Sequence, residues 1–114
     1  MKLNPSRLTL LVSSVALLSF SAGASAVDAD AASRLFKKED CTKCHAPARS
    51  KKGPSLKKIA EDHRGQADAA AKLIEHMKSG PVVKLEDGSE EEHRIIEVKD
   101  DAELQNLIAW ILGH

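Results

Sequence analysis

The chain has 114 residues, with 17 Lys plus Arg against 17 Asp plus Glu, two cysteines and three aromatic residues, Phe20, Phe36 and Trp110. This length allows one domain at most, the neutral balance argues against a nucleic-acid partner, and two cysteines exclude a multi-disulfide scaffold. A small domain with so few large rings has little apolar surface with which to build a core, so something besides side chains is expected to fill it.

The first 26 residues read as an export signal. Lys2 and Arg7 precede an uncharged apolar run, Leu8–Phe20, and Ala24-Ser25-Ala26 follows. That run is shorter than the roughly 20 residues a bilayer crossing needs, and small residues at the first and third positions suit a cleavage site. Cleavage after Ala26 would leave Val27–His114, 88 residues. Export to the periplasm would place Cys41 and Cys44 in an oxidising compartment, with no stable membrane insertion afterwards.

Over residues 27–114 fifteen basic residues face seventeen acidic ones, a balance of −2. Arg34–Arg64 carries ten basic and four acidic residues, whereas Gly65–His114 carries five and eleven. The neutral total conceals a basic half and an acidic half.

Apolar spacing and punctuation predict four helices. The first runs from about Asp28 or Asp30 to Lys38, with Ala31, Ala32, Leu35 and Phe36 on one face. The second follows Gly53-Pro54, capped by Ser55, and stops near Gly65. The third spans about Ala67–Ser79, with Ala70, Leu73, Ile74 and Met77 as its stripe, and ends at Gly80-Pro81. The fourth begins with a capping box, Asp100 to Glu103, and buries Leu104, Leu107, Ile108 and Ile111. Between the last two helices lie nineteen residues, Pro81–Lys99. Asp87-Gly88 signals a turn there, and Val82–Leu85 is expected to pair briefly with Ile95–Val98. A loop this long in a small domain is commonly functional.

The strongest chemical signal is Cys41-Thr42-Lys43-Cys44-His45. Two thiols two residues apart can form thioethers to the vinyl groups of a haem, with the next residue, His45, ligating the iron. Zinc would want a second pair of ligands at short spacing, and a thioredoxin-like dithiol would want a preceding strand and a parallel sheet. A structural disulfide would not require the histidine. Covalent haem attachment through Cys41 and Cys44 is the reading that uses all three residues.

With that motif in place, residues 27–114 resemble a small bacterial class I cytochrome c. Leu35-Phe36-Lys37 is similar to the first helix of that family, whose aromatic packs on the last helix. Gly53-Pro54 is similar to the family's Gly-Pro, whose proline carbonyl accepts a hydrogen bond from the proximal imidazole. Gly65–Gly80 resembles the third helix, and Leu104–Leu112 with Trp110 the last. The resemblance implies an all-α fold, about four helices around one haem c, with a long loop before the C-terminal helix. It also implies Pro54 as the residue orienting His45. Trp110 is read as lying against the haem edge or a propionate, or else as core.

Members of this family usually carry a methionine ligand in the loop before the last helix. Here the loop holds none: Met1 belongs to the leader and Met77 to the third helix. His93, seven residues before Asp100, stands near the expected place and is the predicted distal ligand, with Met77 as the alternative and an open iron as the third possibility. His63, His76 and His114 read as solvated side chains. An imidazole in place of a thioether lowers the reduction potential. The expected function is a periplasmic monomeric one-electron carrier between redox proteins, with Lys43, Lys51 and Lys52 steering it to an acidic partner. Two alternatives stand: a five-coordinate haem protein that binds a small ligand, and an electron-transfer subunit of a larger redox enzyme. The chain shows no enzyme-like set of catalytic side chains.

Overall fold

The structure, a computed structural model, describes residues 26–114. The export-signal reading therefore lies, except for Ala26, outside the described residues. Among the described residues no helix is long and apolar enough to cross a membrane.

Four helices frame the described part of the chain. The first, α1 (Ala29–Lys38), starts where the Asp28 carboxylate accepts from the Ala31 amide, and it ends with Lys37 and Lys38 in its last turn, where cations suit the helix dipole. Helix α2 (Leu56–Asp62) is capped as expected: Ser55 Oγ accepts from the Lys58 amide at 3.0 Å. Helix α3 (Ala69–Ser79) ends on Gly80, whose φ of 58° is the left-handed conformation glycine adopts at little cost.

Helix α4 (Asp101–Leu112) begins with a one-sided cap rather than a full capping box. Asp100 Oδ1 accepts from the Ala102 amide at 2.9 Å, and Glu103 meets Asp100 through backbone, its amide donating to the Asp100 carbonyl.

Helix α4 packs against α1, α2 and α3. Its stripe, Leu104, Leu107, Ile108 and Ile111, is buried as predicted, and Leu107 is 0% exposed. Ala32, Leu35, Phe36, Leu56 and Ile96 complete the core around it. The α3 stripe is shifted by one residue at its start, with Ala69 buried and Ala70 exposed. Four residues separate Ala69 from Leu73, the spacing that keeps both on one helical face. The start of α1 is tied to α4 by a reciprocal pair of bonds between the Asp28 backbone and the Asn106 amide, each 2.8 Å. Phe36 and Trp110 meet edge to face across α1 and α4, ring centres 5.6 Å apart.

The strand pairing differs from expectation. β1 (Val82–Lys84) pairs antiparallel with β2 (Glu90–Glu92), with Val83 opposite Glu91. The turn decides this. Gly88 has φ 86°, its amide donates to the Leu85 carbonyl at 2.9 Å, and Leu85 N–H donates to the Ser89 carbonyl at 2.8 Å. A five-residue loop closed in this way brings Glu90 opposite Lys84 before the chain reaches Ile95. Residues 95–98, free of strand pairing, run along the end of α3 instead. There the amide of His93 donates to the Pro81 carbonyl (2.8 Å) and that of Ile96 to the Met77 carbonyl (2.9 Å), and Ile96 is buried.

Candidate haem site

Asp40, in the left-handed region at φ 59°, turns the chain sharply out of α1 into a short 3-10 turn, Cys41–Lys43. The amides of Cys44 and His45 both donate to the Cys41 carbonyl, at 3.1 and 2.9 Å, which winds the two cysteines and the histidine into about one turn. Neither cysteine is in a disulfide, and both are partly exposed on the wall of one cavity.

That cavity measures about 660 Å³, within the range of small-molecule sites. Phe36, Leu56, Ile59, Leu73, Met77, Leu85, Ile96 and Ile111 give it apolar walls, and His45 and His93 both face it. Burial, reinforced by the nearby Glu39 charge, pushes the Cys41 thiol up to about 11. A thioether sulfur carries no charge, so the environment that disfavours a thiolate there suits the bonded form.

His45 is fixed by Gly53-Pro54. The ring Nδ1 lies 2.6 Å from the Pro54 carbonyl, which can only accept, so Nδ1 carries the proton and Nε2 keeps its lone pair. Gly53 makes room for the ring, since a Cβ there would stand 2.9 Å from His45 Cε1.

His93 shows the same arrangement. Its Nδ1 donates to the Arg94 carbonyl at 2.9 Å, again leaving Nε2 free. Burial holds its pKa below the ordinary value, the bond to Arg94 opposes this, and the His45 charge adds a little to the lowering. Burial, its main cause, thus favours the neutral imidazole that a metal requires.

The two rings stand with centres 6.3 Å apart and planes at 47°. Two imidazoles each bonded through one nitrogen at ~2 Å to a shared metal place their ring centres about 6 Å apart. The donor set, its tautomers, its spacing and the apolar walls therefore fit a haem.

Met77 also lines the cavity, packed on the core. His76 is half-buried, not solvated. Its ring meets that of His93 edge to face at 4.4 Å, and burial, then the charges of His93, His45 and His63, lower its pKa. Trp110 is not in the cavity wall. It stands behind Phe36 and holds the His114 ring edge to face at 4.7 Å. Glu39 and Arg94 line the cavity without a sequence signal of their own, and His63 and His76, expected to be solvated, are half-buried in its wall. Nothing in the local spacing of Glu39 and Arg94 marks them, because each matters through a neighbour distant along the chain.

The family model described as "Cytochrome c" matches residues 29–114, which include the whole site. The chain belongs to the cytochrome c family. Cytochrome c2 of Rubrivivax gelatinosus is 37% identical over 81 residues, covering 68% of this chain and 91% of that protein. The crystal structure of the class 1 cytochrome MtoD from Sideroxydans lithotrophicus ES-1 superposes with a TM-score of 0.74 at 50% identity, covering 77% of this chain and 97% of MtoD. Wild-type cytochrome c552 of Nitrosomonas europaea gives a TM-score of 0.59 at 31% identity, over 71% of this chain and 96% of its own.

This cytochrome is thus a class I monohaem member of a family of electron carriers, and its haem c is attached covalently through Cys41 and Cys44. Its four helices and minimal sheet agree with the all-α fold expected from the sequence.

Proposed function

We propose that this cytochrome is a periplasmic one-electron carrier whose haem iron is held between His45 and His93. The observation that carries the reading is the 6.3 Å separation of two imidazoles that have each committed Nδ1 to a backbone carbonyl. The haem supplies a one-electron change at iron. The chain supplies two neutral nitrogen ligands, an apolar wall that keeps water away, and a fixed ring on each side, so little rearrangement accompanies the change of charge. Imidazole in the distal place gives a lower potential than a methionine would. Pro54 orients the proximal ring, and residues 1–26 act as the export signal that delivers the chain to the periplasm.

Docking is assigned to the lysines near the attachment turn. Lys43, Lys51 and Lys52 are exposed, and Lys51 Nζ is held by the Thr42 carbonyl beside the cysteines. These charges would steer an acidic redox partner to this side of the molecule.

Absorption spectra of the oxidised and reduced protein test the ligand assignment. Low-spin ferric iron lacking a thioether-to-iron band is the expected result, and His93→Ala should turn it high-spin. An unchanged spectrum in that variant would remove His93 as the ligand. A high-spin spectrum in the unaltered protein would instead favour the open-iron, ligand-binding reading.

A further inference from the structure

Among the described residues two polar or charged side chains are buried, Ser55 and Glu39. Ser55 is the α2 cap. Glu39 has no such local role: it closes α1 two residues before Cys41, and its side chain is 11% exposed on the cavity wall. A carboxylate taken out of water is costly unless an opposite charge meets it. Arg94 meets it, with Nε 3.7 Å from Glu39 Oε2, and its Nη1 is 3.5 Å from Asp40 Oδ2. Both are contacts between opposite charges at more than hydrogen-bond length, so the attraction is coulombic.

These three residues connect the attachment segment with the segment that carries His93. Glu39 and Asp40 lead into the attachment cysteines, whereas Arg94 directly follows His93, and all four line one cavity. The Arg94 carbonyl accepts from His93 Nδ1, so one residue fixes the imidazole with its backbone and reaches the attachment segment with its side chain.

We propose that Arg94 is a positioning residue, a latch that keeps His93 in the distal place by pinning its segment to Glu39 and Asp40. The inference rests on the reading of His93 as the distal ligand. A latch shifts the balance between the ligated state and a state in which His93 has swung away. An external ligand that enters only the second state then binds at a rate proportional to that state's population.

Charge alone gives a different signature. Removing the Arg94 cation lowers the reduction potential and removing the Glu39 anion raises it, so the two substitutions act in opposite directions. A latch has two ends, and loss of either frees His93.

The test is the rate of cyanide binding to the ferric haem-loaded protein, with reduction potentials measured alongside. Arg94→Gln and Glu39→Gln should each speed binding about threefold or more, while shifting the potential in opposite directions. The double variant should be no faster than Arg94→Gln, which already removes the contact that Glu39→Gln removes. Arg94→Lys, which keeps the charge but not the planar fork, should recover part of the slow rate. Arg94 is more than half exposed, and Glu39→Gln tests the other end of the pair independently.

An unchanged rate in Arg94→Gln, or rate changes of opposite sign in the two variants, would overturn the latch. His93→Ala separates this from failure of the ligand assignment. If that variant becomes high-spin and takes cyanide rapidly while Arg94→Gln behaves like the unaltered protein, the latch alone fails. A low-spin spectrum persisting in His93→Ala removes the ligand assignment and the latch with it.

Discussion

Gly80 lies against the carbonyl of His93: a Cβ added at Gly80 would stand 2.8 Å from that oxygen and 2.6 Å from Ile95 Cγ1. The C-terminus of α3 and the segment that carries His93 can pass this closely only where no side chain intervenes, and the φ of 58° independently disfavours any residue but glycine. Gly80→Ala should cost about 1–3 kcal/mol in denaturant unfolding. Because the displaced backbone carries His93, the ferric spectrum should gain a high-spin component. An unaltered unfolding midpoint would contradict the close approach.

Met77→Leu separates the two candidate distal ligands. The swap nearly conserves volume and should cost less than about 1.5 kcal/mol. With His93 on the iron, the low-spin spectrum is unchanged. Its loss in this variant would give the distal place to Met77.

Leu107 is completely buried in α4 yet absent from the cavity wall. Leu107→Ala should destabilise the protein by about 2–5 kcal/mol through lost burial and a residual cavity. The haem spectrum below the unfolding transition should stay as it was. A spectral change in the folded variant would show that core and haem site are coupled more tightly than the lining residues indicate.

Asp87 in the hairpin turn accepts from the Ser89 hydroxyl at 2.5 Å and from the Ser89 amide at 2.9 Å. These bonds, the hydroxyl first, hold its carboxyl below the ordinary 3.8. A depressed carboxylate stabilises the fold at pH above the unfolded value, and that contribution is lost as pH falls through the folded value. Ser89→Ala keeps the amide bond and removes the hydroxyl, so the Asp87 midpoint should rise toward 3.8 in a carboxyl-carbon NMR titration. An unmoved midpoint would reject the hydroxyl as the main cause.

Lys52 accepts through its backbone carbonyl from the Glu86 amide at 3.0 Å, which brings the basic loop against the acidic hairpin. On the docking proposal, Lys51 and Lys52 in this loop meet an acidic partner. Electron transfer to an acidic redox protein should slow as salt rises, over a screening length of about 8 Å at physiological ionic strength. Lys51→Glu with Lys52→Glu should flatten that dependence. A rate indifferent to salt in the unaltered protein would remove the steering role.

Helix positions, caps and the attachment motif were legible in the sequence because they are local. Ser55 reaches Lys58, Asp100 reaches Ala102, and Cys41, Cys44 and His45 share one turn, so residue spacing along a helix already determines who meets whom. The bond between His45 and Pro54, by contrast, was implied by the family resemblance and not by spacing. From these, with too few aromatics for a core, the sequence by itself determined a four-helix domain organised around a covalently held haem.

What only the tertiary structure decided lies on segments whose separation depends on the path between them. Apolar pattern favours pairing Val82–Leu85 with Ile95–Val98, but closure of the turn at Gly88 sets the hairpin register at Glu90–Glu92 instead. That register, with the close pass at Gly80, sets where His93 arrives relative to His45. Trp110 turned out to stand behind Phe36, outside the cavity wall, because α4 packs its stripe on the core and presents this ring to α1. Arg94 and Glu39 meet across more than fifty residues of chain, and no local spacing encodes such a contact. Long-range proximity is a property of the packed core, and it decides here what faces the haem.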